Sequence, residues 1–274
     1  MPRLPIVLWL VLGAFSTAAE RALERREAGE RIEIRIEDES WGGARVADLE
    51  AVYRSACSEI AVHLEQSGTS DLEPIRIRND QSGPIVLYER SLRGELVMLL
   101  NAKGRHWSQH AYQFAHEFCH ILCRFKAGER SNLWFEESLC EMASIYALRQ
   151  MAVTWETDAP YPNWRGYSQS LGSYAEDLVQ KFSLPENQRF DRWFQDTQSK
   201  LRSDPTQREL NGIVAVELLP LFEEAPEAWQ TLRYLNIGRG QDELEFGDYL
   251  DAWERYSPRK LQPLVARIAK KFGH

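Results

Sequence analysis

His116-Glu117-Phe118-Cys119-His120 is the stretch whose residue types and spacing could do chemistry. It lies within Tyr112 to Phe125, a segment that reads as a helix. Histidines four apart fall on one helix face, one turn above each other, so both imidazoles can reach one metal ion. Glu117 is displaced by about 100° from His116 and can hold a water bound to that ion. Two nitrogen ligands, an adjacent base and an open coordination position are what a zinc hydrolase needs. An amphipathic core helix with two incidental histidines would show the same letters, so the third ligand matters.

Catalytic zinc usually takes three protein ligands and a water, and the third is sought as an acid on the next helix. Trp134-Phe135-Glu136-Glu137-Ser138 supplies it, after a spacer long enough for a loop and a return helix. Glu136 competes with Glu137 here, because acids also favour helix starts. A cysteine ligand is not required where Glu137 fills the role. His106 and His110 are also four apart, but His110 lies about 120° round from His116, so both read as helix-start surface residues. His63 reads as a surface histidine.

The two runs together resemble the gluzincin zinc peptidases, the thermolysin-like and aminopeptidase-like families. In them H-E-x-x-H on one helix is completed by the glutamate of a W-x-x-E-[G/S] segment on the following one. The resemblance implies Zn2+ held by His116, His120 and Glu137, with Glu117 as general base. It implies that Glu141, one turn beyond Glu137, supports His116 through the second ring N–H. It also implies an oxyanion donor from the C-terminal half; Tyr167, in Gly166-Tyr167-Ser168-Gln169-Ser170, is the first candidate, with Tyr161 and Tyr146 as rivals. The resemblance covers residues 95–185. The aminopeptidase signature before the metal helix is missing, and Gly94-Glu95-Leu96-Val97-Met98 stands there instead, so the expected activity is that of an endopeptidase on a peptide or protein.

The elements that must position these groups divide by composition, strands before residue 105 and helices after. Arg31 to Asp38 alternates apolar and charged residues as a half-buried strand does. Ala44 to Gln66 reads as a helix. Ile75 to Arg78, Pro84 to Glu89 and Glu95 to Asn101 read as strands, parted by turn signals. The metal helix starts near His106 to Ser108. Helices are expected over Glu136 to Met151, Gly166 to Phe182, Phe190 to Leu201, Glu209 to Glu223, Phe246 to Tyr256 and within Pro258 to Phe272, with Val153 to Arg165 as a loop. The fold class this suggests is α+β. It is zincin-like, a small N-terminal mixed sheet with helices (31–130) followed by a mainly helical C-terminal half (131–274) carrying the third ligand. By the same resemblance, Glu95 to Asn101 is the sheet edge with which an extended peptide pairs.

The chain is long enough to bury a sizeable core. Its net charge of −8 gives no electrostatic reason to expect nucleic acid or an anionic membrane as partner. Arg3, the apolar run Leu4 to Phe15 and the small residues Ser16 to Ala19 read as a secretory signal over residues 1–19, with residues 20–30 a flexible lead-in. The apolar run is shorter than the ~20 residues that span a bilayer, so no stable membrane insertion is expected after cleavage, and the mature chain is periplasmic or secreted. Cys57, Cys119, Cys123 and Cys140 remain, either as buried thiols or with Cys140 bridged to Cys119 or Cys123. Two other functions share these motifs: a catalytically inactive zincin-like envelope protein that binds or assembles others, and a non-peptide zinc hydrolase.

Overall fold

A computed structural model describes residues 17–38, 41–65, 72–128, 130–238, 240 and 243–274. Apart from residues 17–19, the expected signal segment lies outside the described residues. The architecture is α+β and mostly helical, with a four-stranded mixed sheet. Among the described residues no helix is long and apolar enough to cross a membrane.

Helix α1 (Ala18–Glu30) replaces the flexible lead-in expected for residues 20–30. Thr17 caps it: its hydroxyl accepts the Glu20 N–H at 3.2 Å, and the Glu20 carboxylate accepts the Thr17 N–H. Its last turn packs on α2 (Val46–Ala61) where Gly29 leaves room; a Cβ there would stand 3.0 Å from Ser58 Cβ. Charge density hid this helix, whose buried side is only Ala28 and Gly29.

The sheet runs in the order β1 (Ile34–Ile36), β2 (Ile75–Asn79), β4 (Leu96–Leu100), β3 (Ile85–Arg90). β1, β2 and β4 are mutually parallel, and β3 joins β4 antiparallel, with Val86 opposite Met98. Glu95 to Asn101 is therefore not the sheet edge. All five residues of β4 are buried, the near-continuous apolar run of an interior strand. The edge beside the metal helix is β3, whose Ile85 and Tyr88 are exposed.

Helix α3 (Trp107–Leu122) leads into α4 (Leu133–Asp158), buried along most of its length and packed against α2, α3, α5 (Ser168–Lys181) and α7 (Arg208–Glu224). It runs seven residues past the expected end at Met151, through the predicted loop, because Leu148, Met151 and Trp155 continue one buried helical stripe and no proline intervenes before Pro160. A 3-10 turn (Pro162–Tyr167) then seats Trp164 against Trp107 and Trp155. The chain closes with α6 (Phe190–Ser203), a second 3-10 segment (Pro226–Tyr234), α8 (Phe246–Tyr256) and α9 (Gln262–Lys271). One hydrophobic core includes residues from both the sheet part and the helical part.

All four cysteines are free and buried, so the bridged alternative is not taken. Two histidines sit deeper than expected. His110 is fully buried between the Tyr53 hydroxyl at 3.0 Å and the Gly104 carbonyl at 3.1 Å, and burial pushes it down to about 4. His63 is half-buried against the Tyr146 hydroxyl at 3.0 Å, and is also pushed down to about 4 by burial.

Candidate metal centre

α3 presents His116 and His120 one turn apart, their ring centroids 5.2 Å from each other. α4 crosses them so that Glu137 faces both Nε2 atoms, at 3.3 Å from His116 and 3.6 Å from His120. The Nδ1 atoms look the other way, each toward a further acid. His120 Nδ1 lies 2.7 Å from Glu136 Oε1, and His116 Nδ1 lies 4.0 Å from Glu141 Oε2. Both carboxylates are held in turn: Asn236 Nδ2 donates to Glu136 Oε2 at 2.7 Å, and the Tyr112 hydroxyl donates to Glu141. The structure thus separates roles that the sequence left open, with Glu137 between the two Nε2 atoms and Glu136 behind His120.

Glu117 is 3 % exposed and points toward the edge strand, where the Val86 N–H donates to its Oε2 at 2.7 Å. Burial raises its pKa above the usual carboxylate range, against the pull of His116 and His120. Burial also works against the charged form of Glu137, yet the two imidazoles outweigh it and hold that carboxyl far below the usual range. The same pairs raise His116 and His120 in spite of burial, through Glu137 at the first and Glu136 with Glu137 at the second.

The imidazoles can be completed as a metal site in two ways. His116, His120 and Cys140 bring one donor atom each to within 4.8 Å of one another. Glu137 instead approaches the pair through its two oxygens, Oε2 at 3.3 Å from His116 Nε2 and Oε1 at 3.6 Å from His120 Nε2. Glu137 is the better third donor. Its side chain is 22 % exposed and lines a cavity of about 190 Å3 with His116 and Glu117, which leaves room for water and substrate. Cys140 is fully buried and does not line that cavity. Glu141 Oε1 is buried with no hydrogen-bond partner among the described residues, while Oε2, which accepts from Tyr112, is the oxygen 4.0 Å from His116 Nδ1. A neutral His116 bound through Nε2 would carry its proton on Nδ1, toward this carboxylate.

Tyr167 is not brought to the site. Its hydroxyl lies 3.4 Å from the Ser108 N–H at the start of α3, about 12 Å of helix away from His116. Tyr146 faces His63, and Tyr161 packs on Trp164. Tyr112 and Arg208 do line the cavity, with Thr206 and Asn211, and none of these four was a sequence candidate. Tyr112 had a signal, being one turn before His116 on the same face. Arg208 had none, because it arrives from α7, far along the chain. Arg208 Nη2 donates to Tyr112 Oη at 2.7 Å, and its guanidinium lies over the Tyr112 ring at 5.1 Å.

Compared with known proteins, the chain matches no family model, no curated protein and no solved structure.

Proposed function

We propose that this chain is an exported zinc-dependent peptidase of gluzincin type, with a zincin-like fold, acting as an endopeptidase. One observation carries the reading: the carboxylate of Glu137 faces both Nε2 atoms of the H-E-x-x-H pair, with Glu117 beside them in an open cleft. His116, His120 and Glu137 would hold the zinc, which when bound supplies a Lewis acid for the scissile carbonyl and acidifies a water. Glu117, raised by burial, takes the proton of the attacking water and hands it to the leaving amine. Glu141 and Glu136 orient the two imidazoles. Tyr112 replaces Tyr167 as the side-chain hydroxyl nearest the reacting groups.

A peptide is favoured as substrate because β3 is a sheet edge next to the base. Its exposed Ile85 and Tyr88 offer side-chain contacts, and as an edge strand, with its Val86 N–H already given to Glu117, it can pair with an extended chain. Export rests on the N-terminal apolar segment alone, and N-terminal sequencing of the secreted chain tests it.

The second reading, an inactive envelope-binding protein with a structural metal, is favoured by the sealed Cys140 donor. Metal analysis separates the two. In the peptidase, zinc near one per chain disappears in His116→Ala and Glu137→Ala and persists in Cys140→Ser. Zinc lost in Cys140→Ser and kept in Glu137→Ala would establish the structural site instead. Chelator-sensitive cleavage of an unfolded protein completes the test.

A further inference from the structure

We propose that the cleft selects a substrate residue bearing a carboxylate, which pairs with Arg208. This deepens the peptidase reading and rests on it. Arg208 is the only cationic side chain among the residues lining the cavity, which also holds Glu117, Glu137 and Glu141. It is held from behind, by the bond to Tyr112 Oη and by stacking on that ring. Those contacts fix the planar fork and use only one of its five N–H donors.

Its ion pair with Glu141 is loose. Arg208 Nε lies 3.8 Å from Glu141 Oε2, beyond hydrogen-bond reach, and the Arg208 side chain is 56 % exposed. The arginines at Glu95 bond their acid directly at 2.6 Å, whereas Arg208 stands off its acid as Arg25 does from Glu59 at 3.7 Å. More than half exposed and lining the cavity, Arg208 still presents charge to the cleft.

Asn211, three residues on and on the same face of α7, supplies the second mark of a ligand. Its Nδ2 is committed to the Pro205 carbonyl at 2.8 Å, which orients the amide. Asn211 lines the same cavity, and its buried Oδ1 has no hydrogen-bond partner among the described residues. An acceptor lacking a donor, one turn from a half-exposed cation whose carboxylate neighbour stays beyond hydrogen-bond reach, matches a peptide residue that offers an N–H and a carboxylate. The N-terminal end of the seventeen-residue helix α7 adds field of the same sign. The carboxylate can belong to an Asp or Glu side chain or to a free peptide C-terminus.

The test uses the zinc-loaded full chain and quenched peptides of one sequence. In one arm Glu or Asp replaces Gln or Asn at each position within two residues of the cut, in C-terminally amidated peptides. In the other arm the same neutral peptide ends in a free or an amidated carboxyl. The expected result is a kcat/KM higher on the order of tenfold for the carboxylate form in one arm, the size of one charge-assisted hydrogen bond. That ratio falls to near unity in Arg208→Gln and inverts toward lysine-bearing peptides in Arg208→Glu, with zinc content as the check that both variants fold. If the wild-type chain cleaves acidic, neutral, free and amidated peptides alike, the carboxylate proposal is overturned and the peptidase reading stands. If it cleaves none of them while holding one zinc, the peptidase reading fails and takes this proposal with it.

Discussion

Glu95 is almost sealed from solvent, and each of its oxygens is answered. Arg35 Nη1 donates to Oε1 at 2.6 Å, while Arg76 Nε and Ser91 Oγ donate to Oε2 at 2.6 and 2.7 Å. Arg76 first, then Ser91, holds the carboxyl down to about 2. Glu141 is as deeply buried, yet one of its oxygens has no partner and its guanidinium neighbour stays at 3.8 Å. Asn211 and Glu117 around it are likewise incompletely satisfied or pushed off their ordinary pKa. A buried polar group without a partner is destabilising by about 1–3 kcal/mol. Glu95 is satisfied by the sheet itself, whereas Glu141 is left with an open acceptor; under the proposed function the sheet acids stabilise the fold and the cleft acids serve an ion and a substrate.

The largest effect that would break this contrast lies at Glu117. Glu117→Gln is expected to lower kcat by about a thousandfold, the middle of the range for a general base, with zinc retained. Full activity in that variant would remove the base from the mechanism. Next comes the metal: Glu137→Ala is expected to lose zinc measured after gel filtration, while Glu95→Gln keeps it, since only one of these acids faces the imidazoles.

Glu141→Ala should weaken zinc affinity about 10- to 100-fold in a chelator competition, the usual loss when the partner of a metal-bound histidine is removed. Wild-type affinity there would make Glu141 a bystander. Glu95 sharpens the comparison from the other side. Its folded pKa lies below the unfolded value, so its stabilisation is present above the usual carboxylate range and is lost as pH falls toward 2. Acid titration of the unfolding midpoint should show that loss in the wild type and its absence in Glu95→Gln.

Glu59 makes the smallest test, with the opposite sign. Burial, partly offset by Arg25 3.7 Å away, pushes it up to about 7. Its folded pKa exceeds the unfolded value, so the folded state binds the extra proton and stability falls as pH rises toward and through 7. Glu59→Gln should flatten that slope and gain about 2 kcal/mol at pH 8 relative to wild type, read by urea unfolding at pH 5 and pH 8.

Much of the helical half was legible because its apolar residues repeat at helical spacing: α8 lies where expected, α6 and α7 within two residues, and α3 ends three residues before the expected Phe125. The errors share a cause. α1 buries little, so its pattern carried no signal, and α4 was cut short by tryptophans and later prolines that a buried stripe overrides. The sheet edge was misassigned because strand order is a long-range property. The fully apolar β4 run argues for an interior place, whereas the edge placement came from the family resemblance.

At the site, the sequence alone determined His116, Glu117 and His120 as a set, because helix periodicity is local and places residues four apart on one face. It also narrowed the third donor to two adjacent acids. Only the tertiary structure decided between them, since a rotation of about 100° separates Glu136 from Glu137 and the packing of α4 on α3 sets which one meets the Nε2 atoms. The same holds for Val86, Arg208 and Asn236. They reach the cleft from β3, α7 and the stretch before α8, and no local pattern records which distant side chain a packed core delivers to a given point in space.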